Sequence, residues 1–229
     1  MNSFYYGIKV RVLTAFLTLF PIHVLLIKIK NFLYDYNFWK AKKSKAKVIS
    51  IGNLSLGGSG KTPFAIALSR FLVSKNYSVG IVTTGHGRNN NNFFFGQSFL
   101  MENQPWEEAG DEAVLLKNNL KEVPVYVSWR KKNKVDAANY LYEKKGCDIV
   151  ILDDAFQHRK VDRDVDIVLT SSDASLDSQK VFPYGLLREP VLGLKRADMI
   201  IETKGNLFWN VASPQYEISK YEGKSKIQS

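Results

Sequence analysis

Cysteine is nearly absent from this chain. Cys147 is the single thiol among 229 residues, so no disulfide can form within the chain, which fits a reducing compartment. It opens an apolar run and reads as a small core residue, since no sequence neighbour is arranged to activate it. Long apolar runs are lacking too. Residues 12–27 form an apolar stretch of only 16 residues, broken by Pro21 and His23. A bilayer-crossing helix needs about 20 such residues. No small-residue cleavage site follows the stretch, which argues against a removed signal peptide. No internal repeat is present. Acidic residues are outnumbered: 22 Asp and Glu face 32 Lys and Arg, giving a net charge of +10 and a pI near 9.5. The expected partner is therefore anionic. Nucleic acid, a nucleotide, a phosphorylated substrate and an acidic membrane surface all satisfy that condition.

What is present supports one α/β domain, with hydrophobic residues at 45%. The short apolar stretch is edged by Lys9, Arg11, Lys28 and Lys30, then by Lys40, Lys42, Lys43, Lys45 and Lys47. Such a pattern predicts a helix lying in a membrane interface and held to anionic lipid, with a helix packed on the protein's own core as the other reading. A basic, aromatic-rich connector is expected over residues 32–47. The predicted layout is a membrane-associating helix and connector over 1–46, a phosphate-binding domain over 47–204 and a polar tail over 205–229.

Strands are predicted at residues 48–51, 78–84, 123–128, 148–153, 165–170 and 198–203, from β-branched apolar runs stopped by glycine or acids. Helices are predicted from Thr62 to about Lys75, from Gly110 to about Leu120, over 131–145 as a basic exposed helix, and briefly around 194–197. Asn89 to Asn92 read as a mobile loop leading into an apolar flap or short strand at Phe93, Phe94 and Phe95. The repeated strand–helix order implies a mostly parallel sheet with helices on both faces.

The strongest motif is Gly57-Gly58-Ser59-Gly60-Lys61-Thr62, between a predicted strand and a predicted helix. Phosphate binding needs several backbone N–H groups turned onto one anion, and residues without bulk let the chain curl that tightly. The helix N-terminus adds partial positive charge. Ser55, Leu56, Gly57, Gly58, Ser59, Gly60, Lys61 and Thr62 are thus the candidate nucleotide loop. Lys61 is expected at the β- and γ-phosphates and Thr62 at Mg²⁺. Ser55 stands where the common pattern has glycine. A second signal is the apolar run 149–152 that delivers Asp153 and Asp154 at its C-terminal end, where open α/β sheets bind ligands. Either carboxylate could hold Mg²⁺ directly or through water.

Other residues carry two readings each. Asp111, after Gly110, is either a helix cap or a carboxylate that accepts the attacking hydroxyl's proton. His158 lies four residues after Asp154 and would touch it if a helical turn began there. Arg188 either holds phosphate or pairs with Glu189 or another acid, and Lys195 and Arg196 share that ambiguity. His86 and Arg88 follow the second strand, where a substrate could approach. No base-reading module supports nucleic-acid binding.

Taken together these stretches resemble the tetraacyldisaccharide 4′-kinase family, the lipid A 4′-kinases. The resemblance rests on Leu33-Tyr34-Asp35, on Ile51-Gly52-Asn53-Leu54 running into the loop and Pro63, and on Gly110-Asp111-Glu112. It continues through Leu152-Asp153-Asp154-Ala155-Phe156-Gln157-His158, Leu187-Arg188-Glu189-Pro190 and Lys195-Arg196-Ala197-Asp198. It implies a P-loop NTPase-like fold. It also implies transfer of the γ-phosphate of ATP, with Mg²⁺, to the 4′-hydroxyl of an acylated disaccharide 1-phosphate. The implied location is the cytoplasmic face of the bacterial inner membrane. By resemblance Asp111 is the base, Asp153 and Asp154 the metal-side acids, His158 their helper, and Arg188 a substrate or phosphate contact. The family also lacks the first loop glycine. This chain departs from it at Thr84-Gly85-His86-Gly87, where Arg-Gly-Tyr-Gly is usual, with Arg88 as a partial substitute. Ala155 replaces a usual glycine, and the asparagine run is not a family feature. Family members usually continue into a second, smaller α/β lobe, so a reduced C-terminal portion is expected. Two alternatives stand beside this reading: a P-loop phosphotransferase or ATPase on a soluble substrate, and a non-catalytic, membrane-associated nucleotide binder. The sequence says nothing of oligomeric state.

Overall fold

The computed structural model describes residues 22–57, 59–84, 99–102, 106–128, 134–171, 180–182 and 184–203. Gly58, His86, Arg88, the asparagine run with its three phenylalanines, the first 21 residues and the expected tail lie outside them.

The first described helix, α1, covers residues 22–35. It runs on into the segment expected to be a connector, because nothing between Pro21 and Asn37 breaks it. Asn37 adopts φ 59° just beyond it, and Trp39 N–H donates to Leu33 O at 2.9 Å. Then follow β1 (Lys47–Asn53), α2 (Lys61–Ser74), β2 (Val79–Thr83), β3 (Phe99–Leu100), α3 (Trp106–Ala109), α4 (Asp111–Asn119) and β4 (Val125–Val127). The chain continues with α5 (Lys134–Lys145), β5 (Ile149–Leu152), β6 (Val165–Ser171), a 3-10 turn (Val191–Arg196) and β7 (Met199–Thr203).

Among the described residues, seven strands form one sheet in the order β3-β4-β2-β5-β1-β6-β7, and every pairing is parallel except the short β3 against β4. All six strands expected from the sequence are in it. The antiparallel edge strand β3 was not foreseen: two residues carry no periodicity. The central strands read as continuous apolar runs because both their faces are covered. Alternation along β5 shows this directly. Ile151 packs with α2 and α4 residues such as Ala65, Ala113 and Leu116. Val150 and Leu152 pack on the other face with Ala137, Ala138 and Leu141 of α5.

The helix expected to be basic and exposed is a correction. α5 buries Lys134, Ala137, Ala138 and Leu141, an i, i+3, i+4, i+7 stripe, against the sheet. Its lysines elsewhere are solvated, and they masked that stripe in the sequence.

The fold places β1 and β5 side by side, with Ser50 opposite Leu152. The loop after β1 and the acids after β5 therefore emerge at one edge of the sheet. Gly52 makes their approach possible. A Cβ there would collide with Phe156 Cβ and stand 2.8 Å from Phe156 N.

Candidate active site

The loop from Leu54 to Gly60 curls between β1 and α2. Gly57 has φ 122° and Gly60, the α2 N-cap, φ 76°, both in the left-handed region that glycine enters freely. No side chain caps α2 and its first turn holds no acid, so its N-terminal amides remain available to an anion. The segment 186–188 straps this loop from outside. Leu56 N–H donates to Leu186 O at 2.6 Å, Arg188 N–H to Leu54 O at 2.6 Å, and Ser55 bridges Leu187. From inside, Asn53 Nδ2 donates to Gly57 O at 3.4 Å.

The acids sit beneath the loop. Thr62, at the start of α2, donates its hydroxyl to Asp153 Oδ2 at 3.4 Å. Lys61 Nζ lies 3.6 Å from Asp154 Oδ1. Arg188 reaches the same carboxylate with both oxygens in range, at 2.8 and 2.9 Å. The acid that Arg188 pairs with is therefore Asp154, 34 residues earlier, and not the adjacent Glu189. Glu189 is 2% exposed and held by Arg196 at 2.9 and 3.0 Å, by Gln157 Nε2 at 3.2 Å and by Asn31 Nδ2 at 3.1 Å. Arg196, which also covers the Phe156 ring, is a structural pin.

Burial pulls Asp154 upward, but the Lys61 charge and the Arg188 hydrogen bonds outweigh it and hold the carboxyl below its ordinary range. Asp153 goes the other way. Burial, then the neighbouring Glu112 charge, push it up to about 6 against the opposing Lys134 cation. Glu112 is also raised, first by burial and then by Asp154. Three acids thus share one site with three cations, Lys61, Lys134 and Arg188.

Asp111 is exposed at the first position of α4, and its Oδ1 accepts the Glu112 N–H at 2.9 Å. That is the local contact of a helix terminus. His158 is buried at 6%; its N–H donates to Ala155 O at 2.8 Å, in a run of turns and not in a helix. The structure thus gathers Ser59, Lys61, Thr62, Asp153, Asp154 and Arg188. Gly58 and Arg88 fall outside the described residues. Lys134 was not singled out from sequence, and Glu112 entered only as part of Gly110-Asp111-Glu112. A signal existed for Lys134, since it extends the buried stripe of α5 by one turn.

Asp153 Oδ1 and Ser59 Oγ are buried with no hydrogen-bond partner among the described residues. A buried carboxylate oxygen without a partner is costly unless a cation or water meets it, so Asp153 with the Thr62 hydroxyl fits Mg²⁺. Among the described residues, no three His, Cys, Asp or Glu side chains converge on a metal-sized site. Mg²⁺ held by one or two protein oxygens, water and phosphate needs no such cluster.

The family model for Tetraacyldisaccharide-1-P 4'-kinase matches residues 12–227. The chain belongs to this family. It is 36% identical over 189 residues to the Tetraacyldisaccharide 4'-kinase of Desulfatibacillum aliphaticivorans, covering 81% of this chain and 50% of that one. With the Tetraacyldisaccharide 4'-kinase of Aquifex aeolicus it shares 39% over 178 residues, 78% of this chain and 54% of the relative. A solved structure described as the "apo" form of LpxK from Aquifex aeolicus in complex with ATP superposes with a TM-score of 0.70 at 36% identity. That match covers 81% of this chain and 58% of the other. The chain thus spans about half the length of the curated relatives it matches. The fold shared with this 4'-kinase family is P-loop NTPase-like.

Proposed function

We propose that the chain transfers the γ-phosphate of ATP to the 4′-hydroxyl of an acylated disaccharide 1-phosphate at an anionic membrane surface, as a step of lipid A biosynthesis. The observation that carries this reading is the convergence of Lys61, Thr62, Asp153, Asp154 and Arg188 on the phosphate loop. Membership in a 4'-kinase family supports the choice of acceptor.

In this reading the amides of Gly57–Thr62 cradle the β-phosphate, and Lys61 leaves Asp154 to neutralise the γ-phosphate. Thr62 with Asp153 or Asp154 would hold Mg²⁺, and the ion, when bound, would supply charge stabilisation for phosphoryl transfer. Arg188 contacts phosphate or substrate. Asp111 accepts the proton of the attacking hydroxyl, and His158 supports the acid turn. Arg88 approaches the substrate from the loop after β2.

The membrane reading rests on α1. Ile22, Leu25, Leu26, Ile29 and Phe32 are all exposed and spaced on one helical face. The opposite side is tied to the acid turn: Arg159 Nη1 donates to Asn31 O at 2.8 Å and pairs with Asp35 at 2.7 Å. A helix anchored by polar contacts that leaves its apolar face outward suits lipid, with Lys28, Lys40 and Lys43 near the headgroups. No described helix is long and apolar enough to cross a membrane. The proposed location is the cytoplasmic face of the inner membrane.

The direct test is incubation of the purified protein with γ-labelled ATP, Mg²⁺ and the acylated disaccharide 1-phosphate. The label is expected in the lipid. Release of label as free phosphate alone would favour an ATPase.

A further inference from the structure

α5 begins with the largest fully buried side chain of the described residues. Lys134 has 0% exposure. An ammonium taken fully out of water is expensive unless acceptors surround it. Two of its acceptors are backbone carbonyls: Nζ donates to Asp153 O at 2.8 Å and reaches Asp154 O at 3.5 Å.

These two carbonyls belong to the turn that carries the acidic pair. The amides of that turn are already used by the sheet. Asp153 N–H donates to Val82 O of β2 at 2.9 Å, and Ala155 N–H to Ile51 O of β1 at 2.9 Å. The Asp153 and Ala155 amides are thus secured by strands and the Asp153 and Asp154 carbonyls by Lys134, as buried backbone groups require partners. The conformation needs that support. Asp154 sits at φ 51°, in the left-handed region that a non-glycine residue enters only at some cost in energy.

We infer that Lys134 is a positioning residue for the acidic pair. Its ammonium clamps the two carbonyls, and the clamp aims the Asp153 carboxylate at Thr62 and the Asp154 carboxylate at Lys61 and Arg188. It touches neither nucleotide nor metal and acts through the backbone of residues that do. This assignment rests on the nucleotide and Mg²⁺ reading given above.

The test is the nucleotide Kd with and without Mg²⁺, read as a ratio for each variant, together with melting of the ligand-free protein. Lys134→Met keeps the length of the side chain and removes its charge. It should lower the Mg²⁺ ratio by about tenfold or more, as loss of a supporting contact behind a metal ligand does. Metal-free nucleotide binding should stay near the wild-type value. Lys134→Arg keeps a cation and its donors and should retain the wild-type ratio.

An unchanged ratio in Lys134→Met overturns the inference. So does an equal loss of metal-free and metal-loaded binding, which a merely structural role would give. If the Met variant does not fold, a folded Lys134→Arg that loses the ratio about tenfold overturns the inference, and a retained ratio supports it. Nucleotide uptake by the wild type that ignores Mg²⁺ removes the Mg²⁺ reading and this inference with it. That outcome is told apart by the wild type alone.

Discussion

At the scale of single residues, the site separates two carboxyls by environment. Asp154 is surrounded by cations and held ionised, while Asp153 is buried and pushed up to about 6. Such a split marks groups placed for function more often than for stability. Asp111 presents the sharper question, because its observed contact is the hydrogen bond its carboxylate accepts from the adjacent Glu112 amide. The asparagine side-chain oxygen accepts the same bond but takes up no proton at neutral pH. Asp111→Asn should therefore leave melting and ATP affinity near wild type while lowering kcat by about 10²- to 10⁴-fold, the usual contribution of a general base. Steady-state kinetics beside a thermal melt check this. An unchanged kcat would leave Asp111 with its local contact to the Glu112 amide alone.

At the scale of elements, α1 makes the next prediction. Its apolar face is exposed, and each large side chain buried in lipid contributes about 1.5–3 kcal/mol. Replacing Leu25, Leu26 and Phe32 with serine should weaken binding to anionic vesicles by about tenfold or more. Co-sedimentation measures it, and equal sedimentation of both proteins would place α1's partner elsewhere. The core elements were legible in the sequence because each carried its own local signal. Ile49 and Ile51 announced a strand, though β1 runs through Gly52, expected to stop it, to Asn53; Pro63 fitted the first turn of α2, and the apolar run before Asp153 announced β5. What stayed hidden depends on distant pairing. The lysines of α5 concealed its buried stripe, and the Arg188–Asp154 pair joins residues 34 positions apart through the strap on the phosphate loop. The role of Glu112 near Asp154 was invisible for the same reason, since only the packing of α4 brings it there.

At the scale of the whole molecule, the sheet order places β1 between β5 and β6, so the loop and the acids share one edge. The Glu189 hub then links that edge to α1 through Asn31 and to the acid turn through Gln157. The helix proposed to lie on the membrane and the loop proposed to hold the nucleotide are therefore parts of one polar framework. The central claim is that this framework binds Mg²⁺-ATP through the amides of the phosphate loop and Lys61. Calorimetric titration of the protein with ATP, in Mg²⁺ and in chelator, tests it most directly. The account predicts saturable, Mg²⁺-strengthened uptake near one ATP per chain, lost in Lys61→Ala. No uptake, or uptake that Lys61→Ala leaves intact, would contradict it.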